Sequence, residues 1–136
     1  MITGLSHVSL AVPSLEAAAR RLQELYGLAV GEVKVNEQQG IRLAYVELGN
    51  ARIELMEPTR PDSAVSKFLE HHPGGGIHHF SLDVDDLPAT AAAIAGKGAR
   101  VLGEGGETRN VHGERIAFVH PRDFFGALVE LEEHGA

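Results

Sequence analysis

The stretch GLSHVSLAV at residues 4–12 decides the fold, because it returns 72 residues later as GIHHFSLDV at residues 76–84. Both stretches alternate apolar and polar residues in the manner of a half-buried β-strand. The shift of 72 residues aligns His7 with His79 in the middle of the two stretches. A match that keeps the polar as well as the apolar positions indicates that the chain contains one structural unit twice.

The residues that follow each stretch continue the repeat. Ser14 is a suitable N-cap for an amphipathic helix over Leu15–Tyr26, and the same spacing predicts a second helix over Leu87–Lys97. With four more residues inserted, Arg52–Met56 aligns with Leu128–Glu132. The first copy has strand-like stretches at Val30–Val35, Ile41–Leu48 and Arg52–Met56. Each copy is therefore predicted to be a strand, a helix and three further strands.

This pattern predicts an α+β fold of two tandem βαβββ modules, about residues 1–68 and 69–136. Neither module is large enough to bury a core alone, so we expect one domain with the modules related by a pseudo-two-fold axis. Residues at equivalent places would then face each other across the axis. The expected partners are His7 with His79, and Glu54 with Glu130.

Two imidazoles and two carboxylates at equivalent places predict a site for a divalent transition metal. A single strand histidine, or a carboxylate between aliphatic residues, is more often structural or solvated. The equivalence of His7 with His79 and of Glu54 with Glu130 favours ligation instead. His78 competes with His79, but adjacent strand residues point to opposite faces, and the repeat selects His79.

Composition excludes several classes of protein. The chain has 136 residues, 43% of them hydrophobic and 23% charged, and no cysteine. With 12 Lys and Arg against 19 Asp and Glu, the net charge of −7 disfavours a nucleic-acid-binding surface. No apolar run is long enough for a membrane span, and the first seven residues do not read as a signal peptide. A cytoplasmic location without membrane or nucleic-acid partners is expected.

The chain resembles the methylmalonyl-CoA epimerases of the vicinal-oxygen-chelate superfamily almost from end to end. The resemblance is carried by LSHVSLAV at residues 5–12, IELMEP at 53–58, PDSAVSKFL at 61–69, GGIHH at 75–79, VDDL at 84–87, and HPR at 120–122 leading to LVEL at 128–131. The resemblance implies a metal held by His7, Glu54, His79 and Glu130. These are the four residues that the repeat also selects.

The resemblance implies an isomerase that inverts the carbon between a carboxylate and a thioester carbonyl of an acyl-CoA, in propionyl-CoA metabolism. It implies a divalent ion, with Co²⁺ favoured and Mn²⁺, Ni²⁺ or Zn²⁺ as alternatives, and a homodimer. Glu130 is a candidate proton shuttle next to the substrate. For the phosphates of coenzyme A the candidates are Arg60, Lys67, Arg109, Arg115 and Arg122.

At the position of the second acid/base group, this chain differs from the epimerases that it resembles. Some epimerases have a glutamate three residues after the glycine that opens the third strand, and alignment on Gly40 places Leu43 there. Leucine cannot transfer a proton. Glu47 follows on the same strand face about 13 Å away and is a weak substitute, since a surface carboxylate is the commoner role at a strand end.

Two other functions stay open from the sequence. A glyoxalase I-like lactoylglutathione lyase or an extradiol dioxygenase could use the same scaffold. A dioxygenase favours two histidines and one carboxylate around iron, whereas this chain has a second carboxylate. A non-enzymatic binding protein is the other alternative, but the four polar residues argue against it.

Overall fold

The computed structural model describes residues 1–103 and 107–134, which form two compact units. Unit I comprises Met1–His7 and His79–Ala136, and unit II comprises Val8–His78. These bounds differ from those of the predicted modules because strands β1 (Ile2–Ala11) and β5 (Gly76–Val84) contribute residues to both units. The division into modules at residues 68 and 69 stays a prediction about the repeat.

Unit II contains the end of β1 and the first antiparallel strands. Its other elements are α1 (Leu15–Tyr26), β2 (Lys34–Asn36), β3 (Ile41–Glu47), β4 (Arg52–Pro58) and α2 (Ala64–His71). Strands β2, β3 and β4 are consecutive antiparallel neighbours. The Val12 N–H, just after β1, donates to the Met56 carbonyl at 2.9 Å.

Unit I repeats the same order of elements. It contains most of β5, then α3 (Leu87–Gly96), β6 (Val101–Leu102), β7 (Ile116–Val119) and β8 (Leu128–Glu133). Strand β8 lies between β5, to which it is parallel, and β7, to which it is antiparallel. The order βαβββ occurs twice along the described chain, which confirms the predicted α+β class.

The two predicted helices begin as the repeat requires. Ser14 Oγ accepts a hydrogen bond from the Ala17 N–H at 3.1 Å, and Asp86 Oδ1 accepts one from the Ala89 N–H at 3.1 Å. Both are side-chain N-caps. Helix α1 ends at Gly27, whose φ of 66° is in the left-handed region that glycine adopts without a steric penalty. None of the described helices has the length and apolar character needed to cross a membrane.

A second contact at the start of each helix is also repeated. Glu57 accepts from the Leu15 N–H at 2.9 Å and pairs with Arg42 at 2.8 Å. In unit I, Glu133 accepts from the Leu87 N–H at 2.7 Å and binds the Arg115 guanidinium through both oxygens, each at 2.7 Å. The last residues of the repeat thus satisfy otherwise unpaired helix N–H groups.

The two cores are built from matching residues. In unit II the buried centre consists of Leu15, Ala44 and Leu55. In unit I the equivalent Leu87, Ala117 and Leu131 are buried together with Val84, Val119 and Val129. In both units the core joins the helix to one face of the strands, which leaves alternate strand residues to face the other side.

The strand predicted to start at Val30 begins instead at Lys34, so that part of the prediction is wrong. The Gly31 N–H donates to the Tyr45 carbonyl at 2.9 Å. A Cβ on Gly31 would lie only 3.2 Å from that oxygen. The segment makes this one close approach to β3 rather than a regular ladder, which apolar periodicity does not distinguish from a strand.

Candidate metal centre

Two buried imidazoles meet one buried carboxylate in unit I. Glu130 Oε1 lies 3.1 Å from His7 Nε2 and 3.3 Å from His79 Nε2. The three side chains are 6% exposed or less, and the imidazole rings meet edge to face with centroids 5.6 Å apart. The structure therefore brings together three of the four residues expected to bind a metal.

Strand alternation positions these side chains. Glu130 lies between Val129 and Leu131, which belong to the core of unit I on the opposite face of β8. The parallel register of β5 and β8 places Ser81 opposite Glu130, and His79 is two residues before Ser81 on β5. The apolar run that anchors β8 in the core thus aims the carboxylate at the histidines.

The two imidazoles favour the charged form of the carboxylate. Burial alone would raise the pKa of Glu130, but hydrogen bonding and charge interaction with His7 and His79 outweigh it and lower the pKa to about 2. Glu130 is therefore anionic at neutral pH, as ligation and proton abstraction both require.

The donor set fits a divalent transition metal. One ring nitrogen each of His7 and His79 and one Glu130 oxygen lie within 4.8 Å of one another, all on buried residues. Imidazole nitrogen suits zinc, cobalt, nickel and iron, and a carboxylate adds charge neutralisation. Three donors of this kind on rigid strands would leave further positions for substrate oxygens or water.

Glu54, the fourth predicted ligand, belongs to unit II. It lies on β4, is buried, and accepts a hydrogen bond from Ser9 Oγ. Ser9 is itself fully buried at the end of β1. The two residues thus form a polar pair inside unit II, at positions equivalent to Ser81 and Glu130 in unit I.

The adjacent histidines have different surroundings. His79 is buried in the cluster, and its ring lies 5.9 Å from that of Phe118 at a nearly perpendicular angle. His78 packs edge-on against Phe68 of α2 in unit II, with ring centroids 5.1 Å apart. Within the described residues, the cluster contains His79 and not His78.

The candidates for a second acid/base group lie on β3 of unit II. Leu43 is 1% exposed and pairs with Met56 on β4. Glu47 is exposed at the last position of β3, opposite Arg52. That placement does not favour a role for Glu47 in proton transfer.

Three of the arginines proposed for coenzyme A have structural partners. Arg115 binds Glu133, as described above, while Arg60 pairs with Asp62 at 2.7 Å and donates to the carbonyls of Glu37 and Gln38. Arg109 donates to the Gly113 carbonyl at 3.1 Å. These contacts order loops and strand ends without requiring a phosphate.

Sequence reasoning missed a polar pair behind His7. Ser6 Oγ lies 2.9 Å from His7 Nδ1 and donates to Glu132 Oε1 at 2.8 Å. Glu132 is only 1% exposed, and burial together with the charge of Glu130 raises its pKa. The available signal was the alternation in VELE at residues 129–132, which places both glutamates on one strand face.

Comparisons with known proteins identify the family. The glyoxalase/bleomycin resistance protein/dioxygenase superfamily matches residues 6–118. The ethylmalonyl-CoA/methylmalonyl-CoA epimerase of Cereibacter sphaeroides is 42% identical over 98% of this chain and 99% of its own length. The human mitochondrial methylmalonyl-CoA epimerase is 38% identical over 95% of this chain and 73% of its own length.

Solved structures of methylmalonyl-CoA epimerases have the same fold as this chain. A methylmalonyl-CoA epimerase in complex with methylmalonyl-CoA and NH₄⁺ superposes with a TM-score of 0.90 at 38% identity, over 98% of this chain and 95% of that one. This likeness extends over the whole architecture rather than one motif. The chain belongs to the glyoxalase/bleomycin resistance protein/dioxygenase superfamily and, within it, to the family of the methylmalonyl-CoA epimerases.

Proposed function

We propose that this protein epimerises methylmalonyl-CoA with the help of a divalent metal ion, as a step of propionyl-CoA metabolism. The observation that carries the proposal is the convergence of His7, His79 and Glu130 in a chain similar over its full length to epimerases. Glu54 is the proposed fourth ligand, on the grounds of its equivalence to Glu130 in the repeat and of the resemblance.

The reaction requires removal of a weakly acidic proton between a carboxylate and a thioester carbonyl. When bound, a divalent ion would supply Lewis-acid stabilisation of the negative charge that develops on the substrate oxygens. His7 and His79 hold their Nε2 atoms around one point, and Glu130 contributes an anionic oxygen there. Because all three side chains are buried on strands, little reorganisation is needed for them to bind.

Glu130 is the proposed proton shuttle on one face of the substrate carbon. It is the one anionic oxygen donor in the cluster of three, and it would adjoin substrate held there. The group that serves the opposite face is not Leu43, so another residue or a water molecule must carry that proton. Co²⁺ is the favoured ion, and cytoplasmic location and homodimer formation stay predictions.

Exchange of the substrate α-proton tests this function. The protein is loaded with Co²⁺ and incubated with methylmalonyl-CoA in D₂O, and mass spectrometry follows deuterium at the α-carbon while chiral analysis follows inversion. We expect both to be rapid and to cease on chelation. A metal-loaded protein that produces neither exchange nor inversion would contradict the proposal.

A further inference from the structure

The buried pair of Ser6 and Glu132 forms a hydrogen-bonded chain that ends on His7. Ser6 Oγ lies 2.9 Å from His7 Nδ1 and donates to Glu132 Oε1 at 2.8 Å, while Glu132 Oε2 lies 3.8 Å from the same nitrogen. The three residues are 5%, 2% and 1% exposed, in the order Ser6, His7 and Glu132. All belong to unit I.

The contacts along this chain determine which group donates at Nδ1. The Ser6 hydroxyl donates its single proton to Glu132 Oε1. The Ser6 oxygen is then the acceptor for His7, which places a proton on Nδ1. The other ring nitrogen, Nε2, lies 3.1 Å from Glu130 Oε1, so a metal ion bound at Nε2 would replace a proton shared with that carboxylate while Nδ1 keeps its N–H.

We propose that Ser6 and Glu132 are positioning residues that anchor the Nδ1–H of His7 and so direct its Nε2 at the metal. This role rests on the proposed function, because it concerns His7 as a ligand. Partners of this kind behind a ligating histidine set its tautomer and ring orientation and increase its basicity. Ser6 and Glu132 act through His7 and need not touch the substrate.

The repeat shows that this chain of contacts is particular to His7. In its register, His78 occupies the place of Ser6 beside His79, and Met56 occupies the place of Glu132. Met56 is buried, as Glu132 is, but its thioether accepts hydrogen bonds much more weakly than a carboxylate does. One copy therefore has a buried carboxylate where the other has an apolar side chain of similar size.

The outer side of Glu132 is closed by the end of the described chain. His134 Nε2 lies 3.5 Å from Glu132 Oε1 and 2.6 Å from Asp83 Oδ1, and its Nδ1 lies 2.7 Å from a Glu114 oxygen. His134 is half-exposed, whereas Glu132 is fully buried. Glu132 Oε1 thus lies between Ser6 Oγ and His134 Nε2, which suits a group that orients another residue.

The first test measures the Nδ1 proton of His7 in the Zn²⁺-loaded protein. Long-range ¹H–¹⁵N correlation spectra distinguish a protonated Nδ1 from a protonated Nε2, and His7→Gln assigns the signals. We expect a protonated Nδ1 in the wild-type protein. Glu132→Met and Ser6→Ala should each make this proton exchange faster with water, because its acceptor is lost or no longer held in place. His79 is the internal control and should not change.

The second test measures Co²⁺ affinity by competition with a chelator. Loss of a partner behind a metal ligand typically weakens binding about 10- to 100-fold, which we expect for Glu132→Met and Ser6→Ala. The control is Thr90→Val, because it removes a buried hydroxyl of the same unit from helix α3, away from the strands that carry the cluster. Its affinity and His7 spectrum should match those of the wild type.

The outcomes separate this inference from the proposed function. A wild-type His7 that binds the metal through Nδ1, or a Glu132→Met protein with unchanged Nδ1 proton exchange and unchanged affinity, would overturn the positioning role while leaving epimerisation intact. The first of these outcomes is decisive even where a variant fails to fold. Conversely, the expected Nδ1 proton and affinities in a protein that does not exchange the substrate α-proton would overturn the proposed function alone.

Discussion

Units I and II share a scaffold but differ in where they place polar groups. Each buries Leu, Ala and Leu at equivalent positions between a helix and its strands, and each secures the helix with a glutamate at the end of the last strand. In unit II the buried Glu54 bonds to Ser9, whereas in unit I Glu130 faces two histidines.

This difference shows that a duplicated framework does not require a duplicated site. Apolar positions are constrained by packing in both copies, so they stay similar. Polar positions on the other strand face are free to diverge, as the pairs Ser6 with His78 and Met56 with Glu132 illustrate. The candidate metal centre lies in unit I, where a carboxylate and two imidazoles are held together and buried.

The largest effect is expected from Glu130→Gln, which keeps an oxygen donor but removes the charge and the ability to accept a proton. If Glu130 transfers a proton, α-proton exchange should stay about 10²- to 10⁴-fold slow even at saturating metal. The loss should differ between the two substrate epimers, since the group serves one face. Recovery of full activity at high metal would assign Glu130 to ligation only.

The matched cores predict matched losses of stability. Leu15→Ala and Leu87→Ala each remove a fully buried side chain from the equivalent place, and each should lower the free energy of unfolding by about 2–5 kcal/mol. Denaturant titration measures both. If one substitution costs several-fold more than the other, the two cores are not equivalent and the repeat does not extend to packing.

The helix contacts predict a smaller difference with a defined pH dependence. Glu133→Gln should destabilise the protein by about 1–2 kcal/mol at neutral pH, and Glu57→Gln by less, because Glu133 binds its arginine through both oxygens. The hydrogen bond from the Leu87 N–H and the Arg115 charge lower the pKa of Glu133.

The sign of the pH effect follows from that lowered pKa. The stabilisation by Glu133 is present above the ordinary carboxylate pKa of 4.5 and is lost as pH falls through the lower folded-state value. The difference between wild type and Glu133→Gln should therefore shrink in acid. A difference that grows below pH 4.5 would contradict the assignment.

The smallest effect is expected at His78. His78→Ala removes the ring contact with Phe68 in unit II but leaves the cluster in place, so bound metal should stay near the wild-type amount. Metal content after dialysis provides the measurement. Loss of metal in His78→Ala but not in His79→Ala would show that the register of the second copy is wrong by one residue.

How much of the structure can be predicted from the sequence depends on whether the feature is encoded locally, by the repeat or only by tertiary contacts. Helix α1 has the bounds that the sequence predicts, because Ser14 is a strong start signal and Gly27 a strong stop signal. The convergence of His7, His79 and Glu130 followed from the repeat, since equivalence supplies long-range pairing. The start of β2 was not predictable, because one carbonyl contact at Gly31 depends on tertiary structure.

Ser6 and Glu132 were missed for a related reason. The repeat draws attention to positions that are alike in both copies, and these two have His78 and Met56 as counterparts. Ser6 and Glu132 are 126 positions apart, and only the hydrogen bond between their side chains in the folded protein reveals that they act together on His7.

The most direct test of the account is the coordination of Co²⁺ in the wild-type protein and in His79→Ala, Glu130→Ala and Glu54→Ala. X-ray absorption spectroscopy after titration counts imidazole ligands and bound ions. We predict one ion per chain with two imidazoles in the wild type. His79→Ala should lose one imidazole ligand. All three variants should bind the ion more than about 100-fold more weakly, because loss of a metal ligand lowers the affinity more than loss of a residue that supports a ligand. An ion bound with the same ligands and affinity in all three variants would contradict the account.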